Sequence, residues 1–547
     1  MKKIIALLLV LVTLFTLVSC GKKAEPAPEA THEAAPEAAP KEENKPAEEK
    51  IEMPVQGDGE YTPSDEILVV ANKGNPTGLC HLNVTAVSAN NAHMVTLYDR
   101  LVGYDYENNA VVPSLAESWE YIDDTHVRFK LREDVYSHAG DHFTASDVIY
   151  TVTTGQTGGK LSNYYGMFNL AECKAESDYS VILATNNVDP FFLYTLANTP
   201  LAMVVEASVN KSSLEEQSLA PNAGTGPYKF VEWADGSYVK LERNENYWGK
   251  TPYFAGVEIR IITEASARVM NLESGDVDIA LDPDVKALDA LIDNPAFNII
   301  NLPTTNITTM YLNCSTEPFN DANVRRAVAS ALNYEANLKI AAGGYGTLSD
   351  SYLPTNNVSY ASPETSYFKN DIEAAKAFLA ESAYPNGFEF ELIYAENPTF
   401  GAFAEMIQNQ LSELGITVKL TALASSEFDA RLCAGDFQAE IINSSNPDPA
   451  VQSRYYDKRI DFNTMRGGCG YVDGTDELLA LIDEAKVTVD AAKRNELYAQ
   501  IQTILAQECP AIPIYSPNKL CATDGDIVGI TLTEFCDIDY SKCYRQK

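Results

Sequence analysis

Between Phe388 and Ile442 the hydrophobic period of the chain alternates between two and about 3.6 residues, and that alternation restricts the fold more than any other feature. Phe388–Tyr394 (FEFELIY) reads as a strand. Phe403, Ile407, Leu411 and Leu414 then recur at helical spacing until Gly415 supplies a C-cap. Ile416–Leu420 is a second strand, a shorter helix runs from about Ser426 to Ala434, and Phe437–Ile442 is a third strand. Three strands joined by two helices in so short a span predict a right-handed βαβαβ unit, hence a parallel-type sheet covered by helices.

Helices flank this unit. Asn320-Asp321 is a capping pair for a helix whose apolar stripe is Val324, Ala327, Val328, Ala331 and Leu332. Another helix is expected between Asp371 and Ala383, stopped by Tyr384-Pro385-Asn386-Gly387, where Pro and Asn-Gly demand a turn. A chain of 547 residues, 45% of them apolar, can bury a sizeable core and is expected to form more than one lobe. Its 77 acidic residues against 40 basic ones, a formal net charge of -37, exclude nucleic acid as a partner through long-range repulsion.

The first residues speak for a compartment. Lys2 and Lys3 precede an apolar run from Ile4 to Val18, too short and too interrupted to span a bilayer, which reads as a targeting segment. It ends in Leu17-Val18-Ser19-Cys20-Gly21, similar to a bacterial lipobox, which implies cleavage before Cys20, thioether lipidation of Cys20 and acylation, including palmitate, of the new terminus. Residues 20–60 are rich in Ala, Glu, Lys and Pro with almost no large apolar side chain, so they form an acidic, Pro-rich disordered tether rather than a core. No second hydrophobic span follows, so the protein is no channel. The remaining cysteines lack CxxC spacing and suggest no metal knuckle. The close set Cys509, Cys521, Cys536 and Cys543 could supply one or two disulfides or could stay as buried thiols.

Several sequence blocks follow in close order: Leu97–Asp105 (LYDRLVGYD), Val112–Trp119 (VPSLAESW), Val127–Arg132, Phe143–Val148, Gly224–Lys229 (GTGPYK), Leu241–Trp248 (LERNENYW), Leu272–Ile279, Pro318–Val328 (PFNDANVRRAV), Arg494–Tyr498 and Pro510–Tyr515. Together they resemble the family 5 extracellular solute-binding proteins, the oligopeptide, dipeptide and nickel receptors, from about residue 65 to 525. The resemblance implies an α/β, two-lobed, type II periplasmic-binding-protein-like clamshell with an extra inserted subdomain. One discontinuous lobe would comprise 61–105, 220–315 and 508–547, the inserted subdomain 106–219, and the second lobe 316–507. Gly224, Gly226 and Pro227 suit a hinge turn between lobes. Trp119, Trp233 and Trp248 read as wedges between strands and loops.

In peptide-binding relatives the third strand leads into Trp-x-x-Asp-x-x-Asp-Pro, whose first Asp pairs with the ligand's α-ammonium, because a buried ammonium needs a charge partner. Here the stretch is Ile442–Pro449 (INSSNPDP): Asp448 and Pro449 are retained, while Ile442 replaces the Trp and Ser445 the Asp. Either the ligand lacks a free α-amine there or another acidic residue serves. Turn chemistry before Pro447 also accounts for Ser444, Ser445 and Asn446. The candidate ligand set is Asn83, Thr85, Ile441, Asn443, Ser444, Ser445, Asn446, Arg454 and Tyr515, with the backbone of Ile441 and Asn443 offered to an extended ligand and Arg454 or Arg466 to a carboxylate.

His138 and His142 are spaced for a metal only on a helix, which Gly140 argues against, and His81 and His93 read as surface or core residues. No Gly-x-Ser-x-Gly elbow, HExxH or Gly-rich phosphate loop is present, so no catalytic set, metal or cofactor is expected. The function implied is a lipid-anchored receptor on the outer face of a bacterial cell membrane that passes a peptide or peptide-like solute to an ABC permease driven by its ATPase. On the same fold the alternatives are a surface peptide-sensing lipoprotein, or a receptor for an oligosaccharide or metal chelate.

Overall fold

Two mixed β-sheets organise the computed structural model, which describes residues 59–84, 91–105, 110–445, 448–470, 475–531 and 538–546, all in the compact unit 51–547. Cys20, the targeting segment, the tether up to residue 58, Thr85, Asn446 and Cys536 lie outside the described residues. In chain order the strands of the two sheets are β1 (Ile67–Asn72), β2 (Tyr228–Ala234), β3 (Tyr238–Arg243), β4 (Gly256–Ile261), β5 (Ile279–Leu281), β6 (Phe297–Leu302), β7 (Asn306–Leu312), β8 (Gly346–Thr347), β9 (Glu389–Ala395), β10 (Thr417–Leu423), β11 (Ala439–Ser445), β12 (Ala511–Pro517) and β13 (Lys519–Asp524). The first sheet has the order β6-β13-β5-β1-β4-β3-β2 and the second β8-β12-β7-β11-β9-β10.

The alternating periods become β9, β10 and β11, and all three are parallel: Leu392 lies opposite both Leu420 and Ala439. The four helices read from the sequence are α1 (Ala322–Ala331), α2 (Ile372–Glu381), α3 (Pro398–Ser412) and α4 (Ser425–Ala434). Asp321 caps α1 by accepting from Asn323 N at 2.8 Å, and Asp371 caps α2 by accepting from Ala374 N at 3.0 Å. In α3, Asn397 accepts from Thr399 N and Phe400 N, and the predicted Phe403, Ile407 and Leu411 are buried. Each such burial contributes roughly 1.5–3 kcal/mol, which is what pins helix to sheet. Gly387 and Gly415 approach so closely that a Cβ on Gly387 would stand 2.1 Å from the Gly415 carbonyl oxygen, at a backbone φ of +91° that also calls for glycine.

The lobe boundaries move from their expected places. Strands β7 and β12 pair with each other and belong to the second sheet, although both fall in segments (220–315 and 508–547) assigned from the sequence to the first lobe. The chain therefore crosses at 303–305 and returns at Asn518. Gly224 and Gly226 are no hinge: a Cβ on either would fall 2.0 Å from Leu97 O or 2.5 Å from Thr96 O, so glycine is required by close backbone packing inside the first lobe.

The inserted segment forms a four-stranded antiparallel sheet, in the order Ala116–Tyr121, His126–Leu131, Ser180–Ala184, Lys174–Ser177. Its Phe129, Val181 and Leu183 join Val239, Val257 and Ile259 of the first sheet in one hydrophobic cluster, against which Trp119, Trp233 and Trp248 also pack. In the second lobe, Met310, Leu392, Ile407 and Ile441 form a cluster on one sheet face, while Tyr311, Tyr352, Tyr455, Tyr456 and Tyr498 cover the other. The described cysteines, Cys509, Cys521 and Cys543 among them, are free thiols.

Candidate functional site

Strand direction locates the site. In the first sheet β4 and β5 run parallel to β1, and β6 shares their direction because both β5 and β6 are antiparallel to β13. In the second sheet β9, β10 and β11 are parallel, and β11 is antiparallel to β7, which starts at the crossover. Both sheets thus turn the carboxyl ends of their parallel strands toward the double crossover, where open α/β sheets hold ligands. Thr304 ties the two passes together by donating its hydroxyl to the Pro517 carbonyl. Asp282 sits there at a φ of +43° between Lys73 (3.0 Å) and Lys519 (3.2 Å). Burial would raise its carboxyl, but the two ammonium groups win and hold it at about 2.

The third strand of the sequence reading ends at this place. Ile441 lies between Met310 of β7 and Tyr394 of β9, so its backbone is committed on both edges and its side chain is in the core. This corrects the expectation that its main chain could pair with a ligand. Past Ile441 the strand runs on to Ser445 with β7 as its ladder partner, leaving the other edge of Asn443 and Ser444 without one among the described residues. Asn443 is exposed and donates its amide to Thr308 Oγ1 at 3.0 Å. Ser444 donates to Gln452 Oε1 at 3.0 Å, and Ser445 stands opposite Asn306.

Other expected residues are placed less directly. Tyr515 is 5% exposed with its ring 4.9 Å from Phe403, so it packs into the core rather than the cleft. Asn83 spends its amide on Ser218 of the inserted subdomain at 3.0 Å. Arg466 pairs with Asp429. Arg454, half-buried at the start of a short turn after the helix α5 (Pro449–Ser453), donates to Tyr455 OH at 2.9 Å, and its Nε has no partner among the described residues. The ring nitrogens of His138 and His142 bond to the Gly226 and Glu133 carbonyls, and the buried rings of His81 and His93 are pushed down to about 4 by burial.

A seam between the lobes was missed from the sequence. Phe191, from the inserted subdomain, is buried among the tyrosines of the second lobe, with Arg494 Cζ 4.8 Å from its ring centroid. Asp189 accepts from Phe191 N at 2.9 Å and faces Asp448, which burial first, and the Asp189 charge second, push up to about 7. Arg494 and Tyr498 stood in a block that only carried the resemblance, and nothing in the local pattern announces that they share a cluster with residue 191.

The family model "Bacterial extracellular solute-binding proteins, family 5 Middle" matches residues 110–461. The chain belongs to this family. The family 5 protein is 27% identical over 517 residues to a Di/tripeptide-binding protein 1 of Pseudomonas aeruginosa, covering 87% of this chain and 94% of that one. It is 26% identical over 483 residues to Heme-binding protein A of Haemophilus influenzae, with 82% and 87% covered. The solved periplasmic binding protein DppA of Helicobacter pylori, in complex with the peptide STSA, superposes with a TM-score of 0.70 at 22% identity over 88% of this chain and 98% of that one. The two-lobed type II clamshell is therefore the fold of this family 5 chain. Among its described residues no helix is long and apolar enough to cross a membrane.

Proposed function

We propose that this family 5 protein is the lipid-anchored receptor of an ABC importer: it shuts its lobes on a peptide or peptide-like solute outside the cell and hands it to a permease driven by an intracellular ATPase. Cys20 carries the anchor, and the protein binds rather than transforms its guest. One observation carries the reading: the edge of β11 beyond Ile441, without a partner strand among the described residues, lies at the meeting point of the parallel strand ends of both sheets. An extended main chain pairs with such an edge while its side chains vary. Asn443, Ser444 and Ser445 are the proposed contacts, with Arg454 beside them and Asn446 adjoining in sequence. Names of relatives agree in kind, since the Pseudomonas protein is a di/tripeptide-binding protein.

Closure is a population shift driven by tighter binding to the shut state. Native mass spectrometry of the purified soluble body tests the reading. A ladder of peptide masses is expected, and a single non-peptide mass would overturn it.

A further inference from the structure

Resting on that reading, the polarity of the site can be taken further. In a chain with nearly twice as many acidic as basic residues, arginines find acids easily: Arg128, Arg326, Arg431, Arg459 and Arg545 all pair with carboxylates. Arg268 and Arg494 end on backbone carbonyls instead. Arg454 does neither. Its bond goes to the phenol of Tyr455, over whose ring it lies at 4.8 Å, and its Nε–H is buried without an acceptor among the described residues.

A second donor stands two residues away. Gln452 takes the Ser444 hydroxyl on its carbonyl, which leaves its buried amide nitrogen with no acceptor among the described residues. Ser444 is itself at the end of β11, so strand end and Gln452 are joined by a hydrogen bond, and the backbone N–H of Arg454 returns to the main-chain carbonyl of Gln452. The nearby acids are committed: Asp457 is held by Arg459 at 2.8 Å, and Asp448 accepts from Ala450 N at 2.7 Å. Residue 445 is a serine in the sequence, whereas pairing with an ammonium calls for a carboxylate. A half-buried guanidinium whose Nε–H has no acceptor among the described residues, and a buried amide N–H in the same state, favour a guest that brings an anionic acceptor of its own.

We propose that the carboxyl end of β11 receives the solute by a carboxylate, held by Arg454 with Gln452 as second donor, so that the protein selects its guest by that carboxylate, accepts free and blocked amino ends alike and does not anchor its guest by an α-ammonium. The test is retention of pooled pentapeptides by native mass spectrometry in four forms: neutral with free ends, neutral N-acetylated, neutral C-amidated, and C-amidated with one Glu. N-acetylation should leave retention unchanged, and C-amidation of the neutral pool should lower it about tenfold or more. Recovery in the Glu pool would assign the carboxylate to a side chain, and no recovery would assign it to the C-terminus. Arg454→Met should erase the difference between free and amidated pools, and Arg454→Lys, which keeps the charge without the fork, should preserve part of it. Loss on N-acetylation, or indifference to both caps, overturns the proposal. Failure of every pool overturns the peptide reading itself, and this inference with it.

Discussion

Glu440 offers the sharpest test of how burial works in this fold. It lies on β11 at 0% exposure; one carboxyl oxygen accepts from Gly468 N at 2.6 Å, and the other has no partner among the described residues. The loop backbone rests directly on it, since a Cβ on Gly467 would come within 2.4 Å of its Oε1. Burial pushes this carboxyl from its ordinary 4.5 up to about 8, with only the Gly468 N–H pulling down. The unfolded chain sheds the proton above its ordinary value, while the folded chain keeps it until about pH 8. Stability from this group therefore falls as pH rises through that window and is flat on either side; at about 1.4 kcal/mol per unit the loss amounts to about 3–5 kcal/mol. Glu440→Gln keeps the acceptor for Gly468 and cannot ionise. Urea unfolding at about pH 5 should find the two proteins within about 1 kcal/mol, and at about pH 9 the variant should be more stable by about 3–5 kcal/mol. Parallel stability curves across that range would refute the account.

Other outcomes follow from the same contacts. Asp448 should link the seam to protons: burial and the Asp189 charge raise its carboxyl to about 7, and drawing the lobes apart would relieve both, so acid favours contact between the lobes and the gain is lost as pH rises through about 7. Small-angle scattering against pH should show that slope in the native chain and none in Asp448→Asn. Arg545 meets Glu66, Asp278, Asp524 and Asp526, so Arg545→Ala should cost about 2–4 kcal/mol in urea unfolding by leaving clustered carboxylates uncompensated. Cys20→Ser should move the protein from the membrane to the soluble fraction on cell fractionation, because the acyl chains would have no attachment atom.

Much of the second lobe was legible because its signals are short-range. Asp321, Asp371 and the Phe403, Ile407, Leu411 stripe act within a turn or two of their own helix; Asp321 caps as read, while the Phe403 helix is capped at Glu413, two residues before the expected Gly415. The parallel arrangement of β9, β10 and β11 followed from connection length alone. Of the candidate ligand residues, Asn443 and Ser444 lie on the last residues of β11 and Arg454 follows α5, whereas Ile441 and Tyr515 went into the core.

By itself, the sequence determined where strands and helices begin, which residues line their inner faces, and the order of blocks that marks the family. The tertiary structure alone decided which strand edge has no partner among the described residues, where the chain crosses between lobes, and that Arg454 meets a phenol rather than an acid. Periodicity and capping depend on neighbours a few positions apart. Strand pairing and charge pairing join residues hundreds of positions apart, as Phe191 meets Arg494, and no local pattern encodes which distant partner arrives.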